Sequence, residues 1–380
     1  MSLRSRIQKT SLLDYIQPTK YIVKNTNYCN NYKTPVLTAG QTFILGYTNE
    51  ENGIYIANKN SPVIIFDDFM ATNHWVDFNF KVKSSAMKIL VPKTNDNFKY
   101  IYYCINNINY IPKEHSRQWI QNYSQFTIPV PPIEIQEEIV RILDKFGQLE
   151  AELEAELEAR KRQYEFWRGK LFDFKDNVEY KRLDELFPFI RNGFVGTVTP
   201  FFTEKEDGIR YLQGTNIHNG IISDNEEYYV TKEFHEKHIK NELKSDDILM
   251  VQSGHIGDCA VVGEKYKGSN CHALIIMSRG ENISSKFIVH YFHTVKGYNS
   301  LTPAITGGTI KHVLAGKIGK IKVPCPPLDV QESIVNILDR FDTLVNDITV
   351  GLPAEIELRR KQYEYYRNKL LSFEELSVSE

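Results

Sequence analysis

Six lysines and no carboxylate occupy residues 282–323: Lys286, Lys296, Lys311, Lys317, Lys320 and Lys322. Within that stretch Thr306, Gly307, Gly308 and Thr309 run toward Lys311 and His312. Hydroxyls and uncrowded backbone N–H groups followed by a cation suit a phosphate oxyanion. Upstream, Gln213, Asn216, Gln252, Ser253 and His255 are polar side chains beside glycines at the ends of apolar runs, and they suit the donors and acceptors of base edges. Any one of them alone is a more ordinary turn cap than a base reader. Nearer the amino end, Lys81, Lys83, Ser84, Ser85 and Lys88 form a basic, hydroxyl-rich run, and His115, Arg117 and Trp119 stand where the later region has Lys311 and His312. The guanidinium fork of Arg117 fits a phosphate or a guanine, whereas Trp119 is expected to pack in a core.

Catalytic readings of the remaining residues fail on spacing. Asp67, Asp68, Asp77 and Lys81 faintly suggest a metal-dependent nuclease, but position 79 is Asn where a carboxylate would be needed. His235 and His238 lie in a charged segment of helical character, and the set His255, Cys259, Cys271 and His272 lacks the spacing of zinc ligands. No phosphate-binding loop of the GxxxxGK[ST] type is present, and no Gly-rich strand-turn-helix loop that would hold a methyl donor. The expectation is a chain with no catalytic residue, no metal and no cofactor of its own.

The elements that must position these residues come in duplicate. PVPPIEIQEEIVRILDKF (129–146) matches PCPPLDVQESIVNILDRF (324–341) at 11 of 18 positions, and EARKRQYEFWRGKLFDF (158–174) matches ELRRKQYEYYRNKLLSF (357–373) at 9 of 17. The variable stretches between them repeat an order of short apolar runs: Val63 to Phe66 resembles Ile248 to Val251, Ala86 to Leu90 resembles Ala273 to Met277, and Tyr100 to Ile105 resembles Phe287 to Phe292. Such runs, bounded by Gly, Asn, Asp and Pro, read as strands and one helix. After Pro131 and Pro132, apolar residues recur at Ile135, Ile139, Ile142, Phe146, Leu149 and Leu153 in the spacing of a coiled-coil seam. The four-residue period of LEAELEAELEA (149–159) interrupts it as a stutter, and the seam resumes at Tyr164, Trp167 and Leu171. Unbroken helix from Ile133 to Phe172 would span roughly 60 Å. In the second copy Gly351 and Pro353 predict a break before a helix over 354–371. The expected architecture is α/β (α+β): two variable domains in tandem pseudo-repeat, 1–128 and 175–323, separated by two long helical regions, 129–174 and 324–375, that pair as an antiparallel coiled coil, with a tail at 376–380.

Composition agrees with two globular cores. The chain has 380 residues, 42% of them hydrophobic and 25% charged. The net charge of −2 hides a split, because residues 1–128 carry +6 and 129–174 carry −4. No apolar run is long enough to span a membrane, no apolar stretch follows the charged amino end as in a secretory signal, and the five scattered cysteines form no CxxC pair. A cytoplasmic protein with reduced thiols is expected.

Taken together, the duplicated PP[IL]xxQExIVxILD[KR]F and R[KR][RK]QYE[FY][WY]RxKL motifs, LQGTNI (212–217), DILMVQSGHIG (247–257) and GGTIKH (307–312) resemble the specificity subunits of type I restriction-modification systems over essentially the whole chain. Leu37 to Gln41 departs from the pattern, reading LTAGQ where the second domain has LQGTN. The resemblance implies two target recognition domains, each reading one half of a split sequence in double-stranded DNA, and helices that space them and dock two methyltransferase subunits. It further implies restriction/translocase subunits for cleavage, with S-adenosylmethionine, ATP and Mg used by the partners only. Gln136, Glu137, Gln163, Tyr164, Arg168 and their counterparts Gln331, Glu332, Gln362, Tyr363 and Arg367 recur in both copies, which marks them as candidate partner contacts. The competing class is a coiled-coil scaffold whose end domains bind proteins; it predicts salt-insensitive binding and no DNA affinity.

Overall fold

The computed structural model describes residues 6–9, 12–39, 42–112, 116–119, 122–174, 178–278, 280, 282–307 and 311–373, without side chains for 6–9. The chain divides into two compact units, residues 1–154 with 356–380, and residues 155–355.

The first unit carries β1 (Arg6–Lys9), β2 (Leu13–Ile16), β3 (Thr34–Leu37), β4 (Ile44–Thr48), β5 (Val63–Asp67), β6 (Asn73–Val76), β7 (Lys81–Val82), β8 (Met87–Pro92), α1 (Phe98–Asn106) and β9 (Thr127–Val130) before the long α2 (Ile133–Leu171). The second carries β10 (Tyr180–Arg182), α3 (Leu183–Leu186), β11 (Phe189–Asn192), β12 (Gly208–Leu212), β13 (Ile217–His218), β14 (Ile221–Ile222), β15 (Tyr228–Thr231) and α4 (Lys232–Lys237). It continues with β16 (Ile248–Val251), β17 (Cys259–Val261), β18 (Asn270–Cys271), β19 (Leu274–Ser278), α5 (Ser285–Phe292), α6 (Val295–Ser300), β20 (Ile305–Thr306), β21 (His312–Val313), α7 (Ala315–Ile318), β22 (Lys322–Pro324) and α8 (Leu328–Asn346). The last helix is α9 (Leu352–Leu371).

The two units share one topology. The sheets β2-β8-β5-β6, β4-β3-β7 and β1-β9 of the first correspond strand for strand to β11-β19-β16-β17, β15-β12-β18 and β10-β22 of the second. The parallel pairs also correspond: Leu37 stands beside Val82 as Leu212 stands beside Cys271, so LTAGQ and LQGTN leave equivalent strand ends despite their different letters. Period-two burial sorts each central strand. Ile64, Phe66 and Leu90 pack with α1, while Val63, Ile65 and Ile89 pack with β3 and β7. Asn97 caps α1 by accepting from the N–H groups of Lys99 and Tyr100, and Ser284 caps α5 by accepting from Phe287.

The helices hold their expected extents closely. α2 runs unbroken through the Leu-Glu-Ala-Glu tract, and the boundary between the units, after Glu154, falls inside that tract. The second copy breaks at 347–351, where Asp347 accepts from the N–H groups of Thr349 and Val350. Within the first unit α2 and α9 pack antiparallel: Leu143 shares a core cluster with Leu371, Phe146 lies 5.5 Å from Tyr366 between ring centroids, and Glu150 and Glu154 each take Arg360 at 2.6 Å. Within the second, residues 155–171 of α2 pack against α8, with Tyr164 stacked 5.8 Å from Phe341. That contact and the one between Phe146 and Tyr363 join equivalent residues of the two repeats.

Candidate nucleic-acid interface

In the second unit three loops converge. The turn after β16 runs through Gln252, Ser253, Gly254 and His255, with Gly254 and Gly257 at φ of 81° and 84°, a backbone that side chains with a Cβ rarely adopt. Beside it the β20–β21 hairpin bonds back through Val313 N–H to Gln252 O at 3.0 Å, and the Ser253 hydroxyl meets His312 Nδ1 at 2.5 Å. Ser253, His255, Gly307, Lys311 and His312 are all exposed on this edge, and Thr306 donates its hydroxyl to His312 O at 3.4 Å. Gly308 and Thr309, between them, lie outside the described residues. The third loop is the β13–β14 hairpin, which the sequence reading missed. Its tip, Asn219 and Gly220, has φ of 48° and 86°, and the Asn-Gly pair between two isoleucine-bearing strands was the available signal. The hairpin joins the cluster through Asn219 N–H to Asp258 Oδ1 at 3.3 Å and through the His218 ring, 5.4 Å from that of His255.

Asp258 is the electrostatic pivot of this edge. Burial works to raise its carboxyl, but His293, the Asn219 N–H and His218 together hold it below the usual carboxylate range. Behind the loops, Lys317, Lys320 and Lys322 are exposed, whereas Lys286 pairs with Asp339 and Lys296 donates to the Tyr180 hydroxyl at 2.9 Å.

The first unit offers an equivalent edge. Gln118 N–H bonds to Asp68 O at 2.8 Å as Val313 N–H bonds to Gln252 O, so Arg117 and His312 precede equivalent anchor points. Arg117 is exposed, 3.9 Å from the buried Asp68, which also sits 3.5 Å from Lys88. Lys83 is half-buried against the Tyr28 hydroxyl at 3.2 Å, and Ser84 and Ser85 are half-buried beside it. His115 lies outside the described residues. Trp119 packs in the core against Phe66, as expected.

Several candidates are internal instead. Lys81 is 1% exposed, paired with Glu50 at 3.0 Å and donating to Asn52 O at 2.6 Å, so its charge is spent inside the fold. Lys88 is likewise buried on Asp68 and Gln17. Asn216 is a buried turn cap: its side chain accepts from Gln213 N–H and donates to Ser223 O and Glu226 O, while Gln213 itself is half-buried. Gln136 and Gln331, expected at a partner face, are buried clamps. Each donates to the carbonyl five residues back, Pro131 or Pro326, and accepts from the cap residue of the neighbouring helix, Asn97 or Ser284.

Tyr164 is buried and Tyr363 half-buried, each beneath a guanidinium that reaches a helix end of its own unit. Arg168 donates to His293 O at 3.2 Å, and Arg367 to Asn107 Oδ1 at 3.1 Å. Glu137 and Glu332 are exposed, and Gln163 and Gln362 are half-buried, accepting from Arg160 and Arg359. Among the described residues no three His, Cys, Asp or Glu side chains are grouped to hold a metal ion, and no helix is long and apolar enough to cross a membrane.

A family described as "Type I restriction modification DNA specificity domain" matches residues 11–159 and 175–358, once per unit. The chain belongs to this family of type I specificity subunits. The specificity subunit is 44% identical over 378 residues to the EcoR124I/EcoR124II specificity subunit of Escherichia coli, covering 94% of this chain and 92% of that relative. Among solved structures, the S subunit of M. genitalium superposes with a TM-score of 0.60 at 13% identity, covering 98% and 97% of the two chains. A chain from a structure of type I complex assembly and conformational transition gives 0.60 at 12%, covering 98% and 99%. At such identities the likeness is one of fold. Specificity subunits are the non-catalytic, DNA-recognising components of type I restriction-modification complexes.

Proposed function

We propose that this specificity subunit reads a bipartite target in double-stranded DNA, one half per unit, with an unread gap between the halves. Residues 1–128 and 175–323 act as the target recognition domains, and 129–174 and 324–375 as the helical spacers. The observation that carries the reading is the repeated edge: the same backbone anchor presents Arg117 in one unit and His312 in the other. In the second unit Ser253, His255 and His312 face base edges, while Thr306, Gly307 and Lys311, with Gly308 and Thr309, hold phosphates. In the first, Arg117 with Lys83, Ser84 and Ser85 serves the other half. Glu137, Gln163, Glu332 and Gln362 remain as the recurring side chains available to two methyltransferase subunits. Those partners supply S-adenosylmethionine chemistry on adenine, and restriction/translocase subunits supply ATP- and Mg-dependent cleavage.

The test is co-expression with the methyltransferase subunit of the same genome, followed by single-molecule sequencing of host DNA for methylated adenines. A split motif with a fixed gap is expected. Absence of new methylation from a demonstrated complex would overturn the reading in favour of a protein scaffold.

A further inference from the structure

Behind the candidate DNA edge the two units carry the same charged constellation. In the first, Asp144 on α2 takes the Lys99 ammonium at 2.9 Å and the Tyr103 hydroxyl at 2.5 Å, both from α1. In the second, Asp339 on α8 takes Lys286 at 2.5 Å and His290 Nε2 at 2.8 Å, both from α5. What packs over the constellation differs. Trp75, paired across the strands with Ile64, lays its indole 5.5 Å from the Tyr102 ring and 5.6 Å beneath the Lys99 ammonium. The corresponding cross-strand partner of Ile248 is Val261, and the residue corresponding to Tyr102 is Val289.

Two aromatic rings are thus exchanged for two isopropyl groups, and a pocket of about 250 Å³, open to solvent on one side, borders those valines, lined also by Lys286, His290, Asp339, Tyr164 and the hairpin-tip residues Asn219 and Gly220. A cavity of roughly 150 Å³ already accommodates benzene, so this one has room for a fused bicyclic ring. Its walls supply what such a ring uses. Two valines would flank the ring, Lys286 occupies the place from which Lys99 faces an indole, and the Asp342 carboxylate, which takes Asn346 Nδ2 at 2.8 Å on one oxygen, has its other oxygen to accept a ring N–H.

We infer that this cavity is a binding site for a planar nitrogen heterocycle of indole or purine size, held as the first unit holds Trp75. The heterocycle comes either from the tryptophan of a docked protein or from a free small molecule, and the chemistry that recognises it is the same. The inference concerns the second unit alone; Asn219 and Gly220 of the β13–β14 hairpin also line the cavity, on the side of the candidate DNA edge.

The experiment is calorimetric titration of the full chain with indole and, separately, with adenine. Saturable one-to-one binding of at least one probe is expected. Val261→Trp, which restores the residue of the first unit, should weaken it at least tenfold, as should Val289→Tyr, with thermal melting used to show that each variant is folded. Binding by neither probe, or equal binding by wild type and a folded Val261→Trp variant, would overturn the inference. Repeating the titration on the complex with the methyltransferase subunit separates the two sources. Loss of the probe on assembly identifies a partner's side chain, and retention identifies a free heterocycle.

Discussion

Gln331 accepts the backbone N–H of Ser284 at 2.8 Å, the residue that caps α5 from 47 positions earlier in the chain. The same amide group donates to Pro326 O at 2.7 Å and to Asn282 O at 3.3 Å, so one side chain ties the start of α8 to the start of α5. Only an amide serves both ends, because a carboxylate has no N–H to give. Gln136 repeats the arrangement on Asn97 and Pro131. Replacing Gln331 by Leu leaves a buried donor and buried carbonyls without partners, each worth about 1–3 kcal/mol. Urea unfolding should show a loss of that size for Gln331→Leu and for Gln331→Glu, while the DNA sequence recognised by the folded fraction stays the same. An unchanged midpoint would show that the clamp contributes nothing.

Lysines in this chain divide by burial, and the division predicts opposite phenotypes. Lys311 is exposed on the loop edge, so Lys311→Ala should lower the slope of log affinity against log salt by about 1 without changing sequence preference. Lys81 is enclosed, and Lys81→Ala leaves Asn52 O without its donor while Glu50 keeps the N–H groups of Lys24 and Asn25, costing roughly 1–3 kcal/mol of stability. DNA titrations across a salt series and denaturant melts of both variants test the pair of expectations. A reduced salt slope for folded Lys81→Ala would contradict the assignment.

Arg117 and His312 should govern different halves of the target. Loss of a good base contact relaxes discrimination at one position by about 1–3 kcal/mol. Methylation profiling of Arg117→Ala is expected to blur one half-motif and leave the other intact, and His312→Ala to do the reverse. Ser253→Ala, which removes the hydroxyl on His312 Nδ1, should follow His312→Ala in direction with a smaller effect. If both changes degraded the same half, the assignment of one half per unit would fall.

Much of this molecule is legible in its letters, and what is not has a physical cause. The repeats reveal the helices because Pro131, Pro132, Gly351 and Pro353 act on the local backbone, and α2 and α9 begin beside them. That the run Val63 to Phe66 and the run Ile248 to Val251 are matching strands is readable because buried strands need apolar runs whatever their ligand, but their register is not, since the ladders set Ile64 rather than Val63 in the place of Ile248. Side-chain direction is another matter. Lys81 and Lys83 are two apart, a spacing that would put both on one face of a regular strand, yet β7 ends at Val82, and Lys81 is enclosed with Glu50 while Lys83 lies half-buried against the Tyr28 hydroxyl. Gln136 and Gln331 recur for the same reason that a partner contact would recur, since both copies need the same clamp. Repetition alone does not distinguish an inward use from an outward one.

Acid should weaken the second unit through its paired carboxylates. Asp258 and Asp339 both lie below the usual range because histidine and lysine partners outweigh the opposing effect of burial. A depressed folded pKa contributes stability that is present above the unfolded value, about 3.9, and is lost as pH falls through the folded value. Asp258→Asn should therefore melt below wild type at pH 7, with the difference shrinking as the pH is lowered past 4. A gap that stayed constant down to pH 2 would mean that the Asp258 charge is irrelevant to stability.

The Leu-Glu-Ala-Glu tract offers the most direct test of the spacer. It lies inside one unbroken helix, and the boundary between the units falls within it. Inserting one further LEAE step after Glu152 adds about 6 Å of rise and about 40° of rotation beyond a full turn. At about 3.4 Å per base pair along each strand that rise corresponds to one or two base pairs. Methylation profiling of the insertion variant should return both half-motifs unchanged, separated by a gap longer by that amount. A changed half-motif would mean that the tract shapes recognition itself, and an unchanged gap would mean that α2 does not set the spacing.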